Sequence, residues 1–101
     1  MSLSMGNTIQ MYPAPATGVI GQVVQHEAVL VLPSAGEVKV LNETGARIWA
    51  LADGSRTVRD IASRLCADYD VDPAQAEQDA LEFVDDLVQR RILILTDHPH
   101  V

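Results

Sequence analysis

The apolar residues of this 101-residue chain change period once, and that change fixes the order of its parts. From Gly18 to Asn42 the run GVIGQVVQHEAVLVLPSAGEVKVLN is dominated by Val, Ile and Leu. Its only breaks are the turn formers Gln25-His26-Glu27 and Pro33-Ser34-Ala35-Gly36. Side chains branched at Cβ are crowded in a helix and fit a pleated surface. The stretch therefore predicts three short strands, near Val19–Val24, Ala28–Leu32 and Glu37–Leu41, the last two joined as a hairpin.

After Leu41 the spacing becomes helical. Asn42 is a good cap for a helix over Glu43–Ala52, which Asp53-Gly54 ends. Gly45 weakens that helix from within. Thr57 opens a second helix, with Asp60 in a capping-box role. Its stripe of Val58, Ile61, Ala62, Leu65, Cys66 and Tyr69 is the strongest helical signal in the chain. Asp72-Pro73 opens a third, the proline sitting where its missing N–H costs nothing, and Gln75 completes a capping box. Ala76, Ala80, Phe83, Val84, Leu87 and Val88 form its apolar stripe, which Leu81 widens. Asp79, Glu82, Asp86 and Gln89 lie opposite. Ile92–Leu95 is a short extended piece. Residues 1–17, with Pro13, Pro15 and no periodicity, read as a flexible arm, and residues 96–101 as a tail. The expected fold is α+β and winged-helix-like: a three-stranded antiparallel sheet followed by a three-helix bundle, within one domain over 18–95.

Charge narrows the partners. Residues 57–89 hold nine acids against Arg59 and Arg64, which accounts for the net charge of −7, while residues 1–36 contain no Lys or Arg at all. Nucleic acids are polyanions bound through neutralised phosphates, so a winged-helix nucleic-acid binder is the weaker alternative. No apolar run nears the roughly 20 residues that span a bilayer. The start MSLSMGNTIQ lacks the basic and apolar regions of a secretory signal, and a cytoplasmic protein is expected.

Little in the sequence suggests catalysis. Cys66 lies on an apolar stripe with no histidine in a neighbouring helix to activate it. His26, His98 and His100 sit in a turn and a tail, which do not hold ligands rigidly, so no metal is expected. Asp85 and Asp86 diverge on their helix and cannot share a proton. The glycines match no phosphate-binding spacing, and no cofactor is expected. Trp49, beside Ile48 and Ala52, reads as core.

Several residues in order carry a resemblance. They are Leu41-Asn42-Glu43-Thr44 running on through Ile48-Trp49, then Asp53-Gly54, Thr57-Val58, Ile61 and Leu65. Asp79, Phe83, Leu87 and the exit Arg90-Arg91-Ile92-Leu93 complete the set. From about Gly18 to Leu95 the chain resembles the PqqD-like family, small peptide chaperones of pyrroloquinoline quinone (PQQ) synthesis. Their RiPP recognition element binds the leaders of ribosomally made, later modified peptides. Gly45 departs from the family's usual helix former, and Arg90-Arg91 from a glycine often found at the helix exit.

The resemblance implies a non-catalytic adaptor. It implies a leader peptide added as a further strand on the third strand and packed toward the third helix, then presented to a modifying enzyme, often of radical SAM type. Backbone pairing at an open edge gives sequence-tolerant affinity, and alternate side chains entering pockets give choice. The candidate edge is Glu37, Val38, Lys39, Val40 and Leu41, with one pair of side chains apolar and the other charged. The candidate opposing wall is Leu81, Val84, Asp85 and Val88, Asp85 serving a basic leader residue. A self-associating structural domain, with the same edge pairing to its copy in a homodimer, is the remaining alternative.

Overall fold

The Val-rich stretch folds as an antiparallel meander, and the rest of the chain closes behind it. A computed structural model describes residues 8–33 and 35–99. In order, the elements are β1 (Tyr12–Pro15), β2 (Ile20–Val24), β3 (Glu27–Leu32), β4 (Glu37–Leu41), α1 (Glu43–Leu51), α2 (Val58–Tyr69), α3 (Pro73–Gln89) and β5 (Leu93–Thr96). One sheet has the order β2-β3-β4, and β1 pairs with β5 in a second. The expected three strands and three helices are present, and the small second sheet is an addition to them.

Register decides which side chains face the core. Ala28, Leu30 and Leu32 of β3 are buried, and they stand opposite Leu41, Lys39 and Glu37 of β4. Directly opposed residues share a face. Glu37, Lys39 and Leu41 therefore face the helices, while Val38 and Val40 join Val29 and Val31 on the outer face. On β2, Gly21 lies opposite Leu30 on the inner face. A Cβ there would come within 2.5 Å of Trp49 Nε1. Glycine is what lets the indole approach β2 this closely, and Trp49 is core, as its spacing predicted.

The helix starts follow the sequence closely. Gly45 N–H donates to Asn42 Oδ1 at 2.9 Å. Thr57 and Asp60 form the reciprocal box, with Asp60 N–H on Thr57 Oγ1 and Thr57 N–H on Asp60 Oδ2, both at 3.1 Å. Asp72 Oδ2 caps α3 through Ala74 N–H at 3.0 Å. Gln75 is a correction: its side chain turns away from the cap and donates to Asp79 Oδ1 at 2.8 Å. In the loop before α2, Asp53 accepts from the Ser55 hydroxyl and backbone N–H, which hold its carboxyl below the ordinary aspartate range.

The flexible arm is also corrected, and the folded unit reaches back beyond residue 18. Residues 1–7 lie outside the described part, as do Ser34 of the hairpin turn and 100–101 of the tail. From Ile9 onward, however, the segment is built in. Ile9, Pro13 and Ala14 are buried, and β1 runs antiparallel to β5 from Tyr12–Thr96 to Pro15–Leu93. The carbonyls of Ile9 and Met11 accept from Arg59 and Val58 N–H at 3.0 and 3.1 Å, and Pro13 O accepts from Gly54 N–H at 2.8 Å. The first N–H groups of a helix have no partner within it. This segment supplies those of α2. Its prolines suit a two-stranded edge, where a missing N–H is tolerated.

The exit of α3 stores a small strain. Arg91 N–H donates to Val88 O at 3.0 Å and Ile92 N–H to Leu87 O at 2.8 Å, the pattern of a Schellman turn. That turn places Arg91 at φ 62°. A side chain in the left-handed region costs about 1–2 kcal/mol, which glycine avoids at some loss of unfolded-state entropy. Arg91→Gly is expected to raise the unfolding free energy by about 0.5–1 kcal/mol in urea denaturation, with the m-value unchanged.

Candidate functional site

A groove lies between β4 and α3 because the helical layer does not close against that strand. The chief neighbours of α3 are α2 and β5, whereas α1 packs beneath the sheet, mainly under β3. The space left over is a cavity of about 450 Å³, lined by Lys39 and Leu41 of β4, Gly45 and Ile48 of α1, and Asp79 and Phe83 of α3. Asp86 completes its rim. That volume lies in the range of pockets that hold small ligands or single large side chains. A second hollow of about 200 Å³, bordered by Lys39, Glu37, Arg90 and Ile92, carries the groove on beneath the start of β4.

Each wall has a local cause. The open edge arises because β4 ends the sheet order, so every second N–H and C=O along it points away from β3. The floor exists because residue 45 has no side chain: a Cβ there would stand 3.0 Å from Phe83 Cε2 and 3.4 Å from Leu41 Cβ. The far wall is a row at helical spacing, Asp79, Phe83 and Asp86, one side chain above the next. Gln75 Nε2 holds Asp79 at 2.8 Å, and Arg90 Nε holds Asp86 at 3.0 Å. Two carboxylates thus flank an aromatic ring and face Lys39 across the groove, with Arg90 at the other end.

The five expected strand residues, Glu37 to Leu41, do form the open edge. Lys39 is half-buried over the groove, Leu41 is buried at its floor, and Val38 and Val40 point to the opposite side of the sheet. The expected helix wall stands apart from this cavity. Leu81, Val84, Asp85 and Val88 lie on the other flank of the buried stripe of α3 and do not line the cavity. Val84 is wholly buried, Leu81 and Val88 pack at the core margin, and Asp85 is exposed and accepts from Gln89 Nε2 at 2.8 Å. The spacing located the stripe, but not which flank would meet β4. The sequence reading named Asp79 and Phe83 among the residues that carry the family resemblance, and gave them no place in the groove.

The remaining chemistry lies elsewhere. A smaller cleft of about 160 Å³ near the β2–β3 turn is lined by Val23, His26, Glu43, Arg47 and Tyr69 among others. Burial pushes the Tyr69 phenol above its usual range, with the Glu43 carboxylate adding to the shift. Cys66 is half-buried against the core. Among the described residues, no three His, Cys, Asp or Glu side chains are grouped to hold a metal ion, and His100 lies outside them. No described helix is long and apolar enough to cross a membrane.

Comparison with known proteins bears on this groove. Residues 27–93 match the family model described as coenzyme PQQ synthesis protein D (PqqD). A protein of Xanthomonas axonopodis pv. citri named PqqA binding protein is 34% identical over 90 residues, covering 89% of this chain and 98% of its own. A namesake in Xanthomonas oryzae pv. oryzae is 34% identical over 83 residues, covering 82% of this chain and 90% of its own. Among solved structures, TbiB1 in complex with the TbiA(beta) leader peptide superposes with a TM-score of 0.73 at 28% identity, over 79% of this chain and 93% of that one. The PqqD truncation of Methylobacterium extorquens PqqCD, described as a stand-alone RiPP recognition element, gives 0.67 at 32% identity, over 81% and 87%.

Gly45 offers a test of the groove's geometry. Alanine is favoured over glycine inside a helix by up to about 1 kcal/mol. The Phe83 ring borders open space and can swing aside. Gly45→Ala is therefore expected to raise the unfolding free energy by about 0.5 kcal/mol, while NMR shows the Phe83 ring resonances displaced and the Leu81 methyls unmoved.

Proposed function

Because the chain belongs to the PqqD family, we propose that it binds the leader segment of a ribosomally made precursor peptide as an added strand on β4. The observation that carries this reading is an unpaired strand edge standing over a cavity that its own sheet and helices leave unfilled. The extended peptide completes the hydrogen-bonding row of β4, and every second side chain turns inward. One of these, large and apolar, occupies the space between Leu41, Ile48 and Phe83. A basic neighbour is placed to meet Asp79 or Asp86, and an acidic residue toward the other end meets Arg90. The names of the relatives and the leader-bound structure support the same reading.

The chain acts in this reading as an adaptor rather than a catalyst, in the cytoplasm where precursor peptides are made. It orders a flexible leader and presents the attached segment to a peptide-modifying enzyme of the radical SAM type. Ordering a disordered segment costs roughly 2–5 kcal/mol of the contact energy, so backbone pairing and a filled cavity are both needed for useful affinity. PQQ formation, with a PqqA-type precursor, is the pathway the relatives' names favour.

Calorimetric titration with a synthetic PqqA-type leader and with leaders of other modified peptides tests the proposal. At least one is expected to bind one-to-one. Phe83→Ala and Asp79→Lys are each expected to weaken that binding at least about tenfold, and Val88→Ala to leave it within about twofold. Binding indifferent to Phe83 and Asp79 would place the peptide elsewhere.

A further inference from the structure

Lys39 stands at the junction of the two hollows beside β4, bordering both the cavity of about 450 Å³ and the hollow of about 200 Å³. It is half-buried on the inner face of the sheet, directly opposite buried Leu30. The charges on the helix wall already have partners. Gln75 holds Asp79, and Asp86 and Arg90 hold each other. Among the described residues, the Lys39 ammonium makes no ion pair. An acidic chain has thus placed a cation with no counter-ion where an added strand would cover it.

We infer that Lys39 selects the leader by charge at one position: the residue directly opposite it on the added strand is an aspartate or glutamate, two places from the apolar residue that enters the cavity. This rests on strand addition at β4 and turns it into a spacing rule. Opposed residues on adjoining strands have Cβ atoms about 4.5–5.5 Å apart, so a bound strand strips water from the ammonium. A cation covered without a partner is costly, and a carboxylate beside it offsets that cost. An apolar or basic residue at this position is therefore rejected by the penalty it imposes. Side chains alternate along a strand, so the next inward residue lies two places away, about 6.8 Å along the chain. Leu41, two places from Lys39, is buried at the cavity floor, which puts the apolar anchor and the acid one residue apart from each other.

The neighbouring charges do not share this role. Arg90 borders the same hollow, but its guanidinium is engaged by Asp86 at 3.0 Å, so it discriminates less than Lys39. Glu37 is exposed at the start of β4 and keeps its water when a strand is added, so it demands no matching base. The net charge of −7 draws basic segments from a distance. The acid is thus a requirement of one position and not of the leader as a whole.

The test takes the tightest-binding of the synthetic leaders titrated against the full chain and reverses each of its Asp and Glu residues to Lys in turn. One reversal is expected to weaken binding at least about tenfold and to recover most of that loss against Lys39→Glu. That acid is expected to lie two residues from the apolar residue whose change to Ala has little further effect once Phe83 is Ala. Lys39→Met keeps the packing of the stem and removes the charge, so against it the acid and its amide are expected to bind alike. Arg64→Glu makes the same change in net charge as Lys39→Glu on an exposed face of α2, and is expected to leave binding of the unaltered leader within about twofold. Circular dichroism checks that each variant stays folded. Leader binding that neither Lys39 variant alters, or a sensitive acid that Lys39→Glu does not rescue, would overturn the inference and leave strand addition standing. Binding by none of the leaders would overturn both.

Discussion

The buried face of α1 joins the two halves of the molecule. Ile48 and Trp49 fill the space beneath β2 and β3, and the same helix lies against α2 and α3 on its other sides. Nine residues of helix span only about 14 Å, too little to cover every strand of the sheet. The strip beneath β4 is left over, and α3 is held back from it by its packing on α2 and β5. The close fit of Trp49 to Gly21 fixes where α1 sits. The groove is thus a consequence of core packing.

On the proposed reading, that leftover strip turns a hazard into a site. An open strand edge invites unwanted pairing, and charged side chains aimed inward from the edge are one way to discourage it. Lys39 and Glu37 do this while also lining the groove, so a partner strand must bring matching side chains. The acidity of the chain divides in the same way. Most of the carboxylates decorate the outer surfaces of α2 and α3, where they solvate the domain. Asp79 and Asp86 stand apart from these, because neighbouring Gln75 and Arg90 hold them on the wall of the cavity.

The parts legible in the sequence were those decided within a few residues. Asn42, Thr57 and Asp72 cap their helices through neighbours two or three positions away, and Val58, Ile61, Ala62 and Leu65 of the α2 stripe are buried as their spacing indicated, with Cys66 and Tyr69 at the core margin. β1 was not legible. Tyr-Pro-Ala-Pro has two prolines and no alternation, and its partner β5 is about 80 residues distant, so tertiary pairing alone makes it a strand. Long-range packing also settled the choices the groove needed. Opposition of Lys39 to buried Leu30 decided that Glu37 and Lys39 face inward. The placement of α1 decided that Asp79 and Phe83, and not Leu81 and Asp85, look toward β4.

Addition of a further strand to β4 is an event that residue-resolved amide hydrogen exchange observes directly. In the free chain the β4 amides that point away from β3 are expected to exchange fast, as are the outward amides of β2 at the opposite edge. With a bound leader, the outward β4 amides are expected to slow by at least about tenfold while those of β2 stay fast. Slowing at β2 instead, or binding that slows neither edge, would contradict strand addition at β4.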